Sequence, residues 1–502
     1  MNKSCWAFFS FLLFLLTTFW ACNDDFDDYS ENPRHLLSFS VDTLRFDTVL
    51  ATINTPVKVF MVYNKNNKPL LIASIQLKNA GESGFKINVD GRAGNRFEDV
   101  EIRANDSLYV LVDIKPEIQE SNRPVVITDY IEFTTNGRQQ NVLLEAYGQD
   151  VIVCKGLTIL SDTILSSWKP YLIYDSLVVS EGIRVDINAG ATFYMHNNAE
   201  IIVKGTLRIN GSIENPVTIR GARMDAMIGI PYDLIPGQWG GIRFMSASFH
   251  NVFEYAHIRN GNLGMKFEPS NPNETKLSMK NVKLTNFKGT LLYSVNCRIT
   301  AENCEFSNSR KALLTLIGGN YSFTHCTMAN YYSSSREAGW GNSDNETIQL
   351  LNCYVNEETH DTIYYPVEQA RFYNTIVWGM RDLSSSKIQL KESGGSSINY
   401  YFENCLINTD GTNDDVNNPD VAPKIVNCII NKNPEFIDTN PLKDGKDEFT
   451  YDFRIDSISP ARNVANQQAA NSIPYDIKGI NRFLDEGPDI GAYEYVPETS
   501  NK

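Results

Sequence analysis

The stretch YFENCLINTD, residues 401–410, decides the fold, because its central phrase returns several times along the chain. The phrase reads Asn, Cys, any residue, then an apolar residue. Copies of it are AENCEFSN (301–308), FTHCTMAN (323–330), LLNCYVNE (350–357) and IVNCIINK (425–432), and FYNTIVWG (372–379) carries Thr in place of Cys. The Cys or Thr and the apolar residue alternate with a period of two, which places both on one face of a β-strand.

Successive phrases between Cys304 and Cys428 start 22, 27, 22, 30 and 23 residues apart. A recurrence of this length indicates a solenoid, and one strand per repeat stacked in register predicts a parallel β-helix. Cysteine is small and among the most buried residue types, so we expect a ladder of free thiols in the interior. Its predicted members are Cys304, Cys326, Cys353, Cys405 and Cys428. Asn before each cysteine, replaced once by His325, is typical of a bend with left-handed backbone.

The same solenoid begins earlier with different wording. The stretch DSLVVSEGIRVDINAGATFYMHNNAEIIVKGTLRINGSIENPVTIRG (175–221) resembles the opening coils of bacterial right-handed β-helix proteins. GQWGGIRF (237–244) and FEYAHIRNGNLGM (253–265) continue this resemblance. We therefore predict a right-handed parallel β-helix over residues 151–437, with about ten coils of twenty-odd residues each.

Two further segments complete the predicted all-β chain. SPARNVANQQAANSIPYDIKGINRFLDEGPDIGAYEY (459–495) resembles the closing module of bacterial surface β-helix proteins of the choice-of-anchor type, which implies closing coils and a cap over residues 438–502. Residues 36–150 contain six or seven alternating segments with turn signals at short spacing. That pattern predicts a β-sandwich, and its ending resembles that of immunoglobulin-like domains.

The first residues are a targeting segment. An apolar run, WAFFSFLLFLLTTFWA, follows Lys3 and ends at Ala21, directly before Cys22. Residues 1–21 are predicted to be a signal peptide. Ala21-Cys22 resembles the lipobox of bacterial lipoproteins, and the acidic linker at 22–35 resembles the export tag of surface-exposed lipoproteins. These resemblances imply a lipid on Cys22 and an outer-membrane protein that faces the cell exterior.

Charge and cysteine count exclude several classes of function. The formal charge of −15 argues against nucleic acid as a partner. Seven cysteines follow Cys22, an odd number without any CxxC pair, which argues against a disulfide framework and a zinc site. We predict neither a metal nor a cofactor. The candidate partners are the membrane, through the lipid, and polysaccharide or other outer-membrane proteins.

The search for catalytic residues finds no constellation. Asp414 and Asp415 are the adjacent Asp pair of the coils, but no Gly-His-Gly accompanies them, and they lie in a loop at 408–420. Asp410, Thr412 and Asp414 alternate as calcium ligands do, yet position twelve is Val421, which favours an empty loop.

Other candidates are single residues. Trp239 suits either sugar stacking or a wedge at a coil corner. The basic residues Arg220, Arg223 and Arg243 look scattered. Glu302 and Glu403 are the nearest approach to an aligned carboxylate pair, but the repeat places Leu351 and Tyr373 between them.

Together these observations predict a binding or structural module, for glycans or as a component of an outer-membrane assembly, without turnover of common polysaccharides. The alternative is a polysaccharide lyase or a glycoside hydrolase, because β-helices host both. A tripeptide of Asp, Ser or Thr, and an aliphatic residue recurs seven times. It resembles an O-glycosylation acceptor and equally suits an Asx turn. The copies lie at 42–44, 47–49, 106–108, 162–164, 175–177, 361–363 and 456–458.

Overall fold

The computed structural model describes residues 29–227, 230–332, 346–356, 359–379, 387–395, 397–409, 424–440 and 451–497. Within these ranges the chain is almost entirely β-structure, with one 3-10 turn at Tyr232–Leu234 and one short α-helix, α1, at Gln467–Ser472. It divides into two compact units between Asp150 and Val151. The predicted all-β fold, a sandwich followed by a parallel β-helix, is confirmed.

The N-terminal unit is a sandwich of two five-stranded sheets. One sheet has the order β1-β3-β8-β5-β6 and the other β2-β10-β9-β4-β7. Inward residues such as Phe60 and Phe133 alternate with outward polar residues and form one core. The strands are β1 Ser38–Phe39, β2 Thr43–Leu50, β3 Lys58–Asn64, β4 Leu70–Leu77, β5 Phe85–Val89, β6 Arg92–Gly94, β7 Arg96–Ile102, β8 Asp106–Ile114, β9 Val125–Thr135 and β10 Arg138–Gln149.

The second unit is the solenoid, and its short strands follow one another around successive coils. They are β11 Ile152–Ile159, β12 Thr163–Leu165, β13 Tyr171–Val179, β14 Arg184–Asn188, β15 Thr192–Met195, β16 Glu200–Val203, β17 Thr206–Asn210, β18 Val217–Gly221, β19 Ala226–Met227, β20 Ile230–Pro231, β21 Gly241–Phe244, β22 Asn251–Glu254, β23 Ala256–Arg259, β24 Met265–Phe267, β25 Thr275–Lys280, β26 Lys283–Phe287, β27 Leu292–Val295, β28 Arg298–Glu302, β29 Glu305–Ser309, β30 Leu314–Ile317, β31 Gly319–Thr324, β32 Thr327–Asn330, β33 Ile348–Leu351, β34 Cys353–Val355, β35 Thr362–Tyr364, β36 Val367–Tyr373, β37 Ile376–Gly379, β38 Ile388–Lys391, β39 Ile398–Glu403, β40 Leu406–Ile407, β41 Ile425–Val426 and β42 Ile429–Ile430.

Each regular coil has three strands, not the single strand that the repeat suggested, and therefore three parallel faces. Face 1 contains β15, β18, β23, β26, β29, β32, β37, β40 and β42, and face 2 contains β16, β21, β24, β27, β30, β33 and β38. Long strand β13 serves both faces. Face 3 is a ten-stranded parallel sheet, β12-β14-β17-β22-β25-β28-β31-β36-β39-β41, which agrees with the predicted number of coils.

The predicted column of free cysteines is confirmed for four of its five members, and the exception is Cys353. The parallel register of face 1 aligns the inward residues Cys304, Cys326, Thr375, Cys405 and Cys428, which each precede a face 1 strand. All are buried except Cys428, which is half-buried and packs against the core. The structure holds these cysteines as free thiols.

Cys353 was predicted to belong to this ladder and does not. It lies on β34, which pairs antiparallel with β35 in a hairpin, and it is half-buried. The spacings of 27 and 22 residues around it are therefore one long coil, because 375 minus 326 is 49. Asn352 also lacks the left-handed backbone of the true bends, where φ is 52° at Asn303 and 51° at His325.

The C-terminal module, residues 451–497, lies along the outward side of face 1. Its strand β44, Asp452–Ile455, pairs antiparallel with β43, Phe436–Asp438, which precedes the module in the chain. The structure places this module, which belongs to the range 438–502 predicted to hold closing coils and a cap, against the side of existing coils. Its apolar residues share one core with outward residues of β32, β37 and β40, namely Ala329, Ile376, Trp378 and Leu406. No helix in the described ranges is long and apolar enough to cross a bilayer.

Candidate functional site

Several residues singled out in the sequence lie outside the described residues. They are Cys22, the pair Asp414 and Asp415, and the calcium-like set Asp410, Thr412 and Asp414. Trp239 is described and fully buried, and its indole nitrogen donates to the Arg259 carbonyl oxygen at 2.8 Å. Trp239 is therefore a wedge in the coil, and sugar stacking on it is excluded.

The carboxylates Glu302 and Glu403 lie in one outward row of face 3 but are not neighbours. The register runs from Glu302 through Thr324 and Tyr373 to Glu403. Three strand spacings therefore separate them, about 14 Å. Leu351, which the repeat placed in this row, lies on face 2 instead. The two carboxylates are therefore too far apart to act on one bond. Of the two residues predicted to lie between them, Tyr373 is correct and Leu351 is wrong.

A shallow pocket opens where this row ends, on β36 and β39. Strand alternation turns the rings of Phe372 and Phe402 into the core, where they stack with centroids 4.5 Å apart. The neighbouring residues Tyr373, Tyr401 and Glu403, which alternate with these phenylalanines along the two strands, face outward. We call this site, of about 470 Å³, the tyrosine pocket, and it is lined by Glu368, Gln369, Ala370, Arg371, Tyr373, Asn399, Tyr400, Tyr401, Glu403 and Lys424.

Two tyrosines form the floor of the pocket. The rings of Tyr373 and Tyr401 lie on adjacent coils with centroids 6.1 Å apart and planes at 59°, and both are half-buried. Burial, and then the nearby Glu403 carboxylate, raise the pKa of the Tyr401 hydroxyl. Tyr401 therefore stays protonated at neutral pH and can donate a hydrogen bond.

The C-terminal module positions the acidic edge of this pocket. Asn466 Nδ2 donates to Glu403 Oε1 at 3.2 Å. Asn466 is itself fixed, because it caps α1 by accepting from Ala469 N at 3.0 Å and its backbone N–H donates to Asn374 Oδ1 at 2.7 Å. Docking of the module on face 1 thus reaches around the coil corner to a residue of face 3.

Charged and amide side chains surround the two tyrosines of the pocket. Lys424 Nζ lies 4.9 Å from the Tyr400 ring centroid, and the Gln369 side chain lies against the Arg371 guanidinium group. Glu368 precedes Tyr373 by five residues, and Tyr373 lies opposite Glu403. Five residues of strand separate the two glutamates by about 16 Å between α-carbons. The paired carboxyl groups of glycosidases lie about 5–9.5 Å apart.

Of the three arginines predicted to be scattered, Arg223 and Arg243 lie in separate ion pairs, whereas Arg220 belongs to a cluster. Arg243 lies on face 2, 3.7 Å from each of Glu200 and Glu268, and Arg223 pairs with Asp225. Arg220 instead converges with Arg259 on the carboxylate of Asp233. The sequence offered no signal for this cluster, because Asp233 comes from the long segment inserted between β18 and β21 of one coil.

A larger cleft of about 820 Å³ in the sandwich is lined largely by turns and by Gly84, Ile87, Lys115 and Ile118. Its aromatic residue, Phe85, is turned into the core. Across the residues that the structure describes, no group of three or more His, Cys, Asp or Glu side chains is placed to hold a metal ion. The tyrosine pocket is therefore the better candidate for a ligand site.

No protein-family model matches the sequence, and no curated protein matches it. Among solved structures, a family 123 glycoside hydrolase from Clostridium perfringens, described for hydrolysis of glycolipid glycans, is similar at 10% identity and a TM-score of 0.17. That match covers 25% of this chain and 26% of the hydrolase. The catalytic domain of a GH87 alpha-1,3-glucanase in complex with tetrasaccharides is similar at 9% identity and a TM-score of 0.19, over 70% of this chain and 82% of the glucanase. Similarities of this size carry no functional argument.

Proposed function

We propose that this chain is a surface-exposed outer-membrane lipoprotein whose solenoid binds a polysaccharide in the tyrosine pocket. The observation that carries the binding proposal is the pair Tyr373 and Tyr401, two half-exposed rings on adjacent coils. The membrane proposal depends on the apolar run that ends at Ala21-Cys22 and on the acidic stretch after it.

The pocket has the chemistry of a saccharide site. A tyrosine ring offers an apolar face for the C–H face of a sugar and a hydroxyl for its polar edge. Arg371, Asn399 and Glu403 surround the rings and offer donors and acceptors to ring hydroxyls. The rings project from a sheet backed by stacked phenylalanines, so little freedom is lost when a ligand binds.

The binding proposal is tested with a glycan array followed by calorimetry on the mature chain. Replacing both Tyr373 and Tyr401 by Ala should lower the affinity for the highest-scoring glycan by about tenfold or more. Each ring that the glycan covers contributes on the order of 1 kcal/mol. Tyr147→Ala, at a tyrosine that is 41% exposed on the sandwich, is the matched control and should bind normally. Equal affinity of the double variant and the wild type would refute the site.

The anchor is tested separately. Cys22→Ala should leave the protein soluble or unprocessed, because the acyl chains that hold a lipoprotein to the bilayer are attached to that cysteine. Membrane fractionation and protease accessibility of whole cells are the measurements. Membrane partitioning of the variant equal to that of the wild type would contradict the proposal.

Two alternatives have their own readouts. A structural component of an outer-membrane assembly would co-purify with protein partners whether or not Tyr373 and Tyr401 are present. A lyase or glycoside hydrolase would form unsaturated products or new reducing ends from a polysaccharide panel. Sustained product formation that disappears in Glu403→Gln would favour the enzyme over the binding module.

A further inference from the structure

We propose a second ligand site on face 1, in which Arg220 and Arg259 form a receptor for the carboxylate of an acidic sugar. In this structure the protein's own Asp233 occupies that receptor as a surrogate ligand. The site lies on a different face from the tyrosine pocket. It depends on the proposed polysaccharide function only for the choice of ligand.

The receptor half belongs to the rigid coils. Arg220 ends the outward side of β18, and Arg259 ends β23, the next strand on face 1. Backbone carbonyls orient Arg220, whose Nε donates to Gly221 O at 3.2 Å and whose Nη2 donates to Arg223 O at 2.9 Å. The two arginines are thus held side by side on neighbouring strands, whose backbones lie about 4.8 Å apart along the solenoid axis.

The carboxylate half has the geometry of a bound ligand. Arg259 grips Asp233 with two parallel bonds, from Nε to Oδ1 at 3.0 Å and from Nη2 to Oδ2 at 3.1 Å. Arg220 Nη2 lies 3.2 Å from the same Oδ1, and Asn260 Nδ2 donates to it at 2.9 Å. A bidentate guanidinium fork is the arrangement that proteins use to recognise carboxylates.

Asp233 reaches the receptor from a short excursion of the chain, residues 230–238. Its 3-10 turn is held by Tyr232 N donating to Asp225 O, by Gln238 donating to Tyr232 O and by a long bond from Asn286 to Asp233 O, at 2.7, 2.6 and 3.4 Å. The side chain of Asp233 is 41% exposed, whereas those of Arg220 and Arg259 are 14% and 26% exposed. Asp233 is therefore the most solvent-exposed member of the cluster, and the two arginines lie deeper against the coils.

Removal of Asp233 would leave the receptor without its anion. Burial acts to raise the pKa of Asp233, but Arg259 and Arg220 outweigh it, so the net shift is downward and the carboxylate is ionised at neutral pH. Without it, two partly buried cations and the Asn260 amide would face one another, with Tyr194 and His257 beside them. Such a cluster favours binding of an external anion.

The test compares binding of an oligogalacturonate and of a neutral galactose oligosaccharide of equal length to the full mature chain by calorimetry. Asp233→Ala should bind the acidic oligosaccharide about tenfold or more tightly than the wild type, and neither should respond to the neutral one. Adding Arg259→Ala should remove the gain. Asp225→Ala, which lies shortly before this excursion and pairs with Arg223, is the matched control and should leave affinity unchanged.

The outcomes separate this proposal from a merely structural ion pair. If Asp233→Ala remains folded by circular dichroism and binds no tighter, or if the gain survives Arg259→Ala, the receptor is refuted. If Asp233→Ala does not fold, Asp233→Asn is measured, and no gain with either variant also refutes it. The gain should persist when Tyr373 and Tyr401 are both Ala, so failure of the tyrosine pocket and failure of this receptor are distinguishable.

Discussion

The outward surfaces of face 1 and face 3 differ in polarity and in burial, although both belong to the same coils. On face 1, the outward residues Ile376, Trp378 and Leu406 are apolar and almost fully buried beneath the C-terminal module. On face 3, Tyr373 and Tyr401 are half-exposed between charged residues. The inward sides of both faces are apolar and buried alike. The apolar outward residues of face 1 named here thus lie beneath a protein segment, whereas the two tyrosines of face 3 remain open to solvent.

The covered face also contains charge, which makes it sensitive to single substitutions. Arg482 is fully buried, pairs with Glu494 and donates to Asn303 Oδ1 at 2.8 Å, which ties the module to a coil bend. Nearby, Tyr493 donates to the buried Glu305, which also accepts from the Ser307 hydroxyl at 2.7 Å and lies 3.4 Å from Lys283 Nζ. Buried ion pairs contribute little net stability while intact and cost much when one partner is removed.

The largest effect is therefore expected from Arg482→Met. It should lower the free energy of unfolding by about 3–5 kcal/mol, because Glu494 and Asn303 lose their partner in a buried site. Burial acts to raise the pKa of Glu494 and Arg482 acts to lower it, so removing Arg482 takes away the main group that favours the carboxylate. Chemical denaturation and limited proteolysis of the module are the measurements. Arg454→Met, which breaks an exposed pair with Asp452, is the control and should cost no more than about 1 kcal/mol.

A smaller effect should appear as a pH dependence at His257 on face 1. Burial first, then Lys283 and Arg259, lower the pKa of His257 from 6.5 to about 4, although Glu305 opposes them. Because His257 binds a proton more readily in the unfolded chain than in the folded one, acid favours unfolding. The contribution of His257 to the free energy of unfolding is therefore fully present above pH 6.5 and is lost as the pH falls towards 4. The wild type should lose about 2 kcal/mol more than His257→Gln across that window. Parallel denaturation curves at each pH would contradict this.

The buried cysteine column on the inward side of face 1 allows a second test of how burial affects substitutions. Cys326→Ser should destabilise by about 1–3 kcal/mol, because the buried hydroxyl must find a partner where the thiol packs. The register places Thr375 on the next rung, where its hydroxyl donates to Tyr373 O at 2.8 Å, so partial compensation is available. Cys353→Ser, in the hairpin, should stay within about 0.5 kcal/mol. Native-state alkylation should label Cys353 and spare Cys326, and equal labelling would remove the distinction.

The smallest change in stability is expected on face 3. Tyr373→Ala should alter the free energy of unfolding by about 1 kcal/mol or less, because its ring is half-exposed and contributes to no buried core. The same substitution should weaken glycan binding, so affinity and stability should separate. If Tyr373→Ala destabilised the chain as much as Arg482→Met, the two faces would not differ in the way proposed.

Much of the architecture was predictable because it is local. Period-two alternation marks a strand, and a bend with positive φ selects Asn, as at Asn281, Asn303, Asn374, Asn404 and Asn427. The shared phrase therefore predicted stacked parallel strands, a buried thiol column and about ten coils. It failed at Cys353, where the same wording occurs in a hairpin inside a long coil, because a short phrase does not specify which strand it pairs with.

The sequence alone determined the strands, the bends and the inward rows, since each depends on residues within a few positions of one another. Tertiary structure alone decided which outward rows are covered and which charges meet. Docking of residues 451–497 on face 1, the contact of Arg482 with Asn303 across 179 positions, and the convergence of Arg220 and Arg259 on Asp233 all join distant segments. The free energy of these contacts comes from burial and charge pairing between segments that no local propensity brings together.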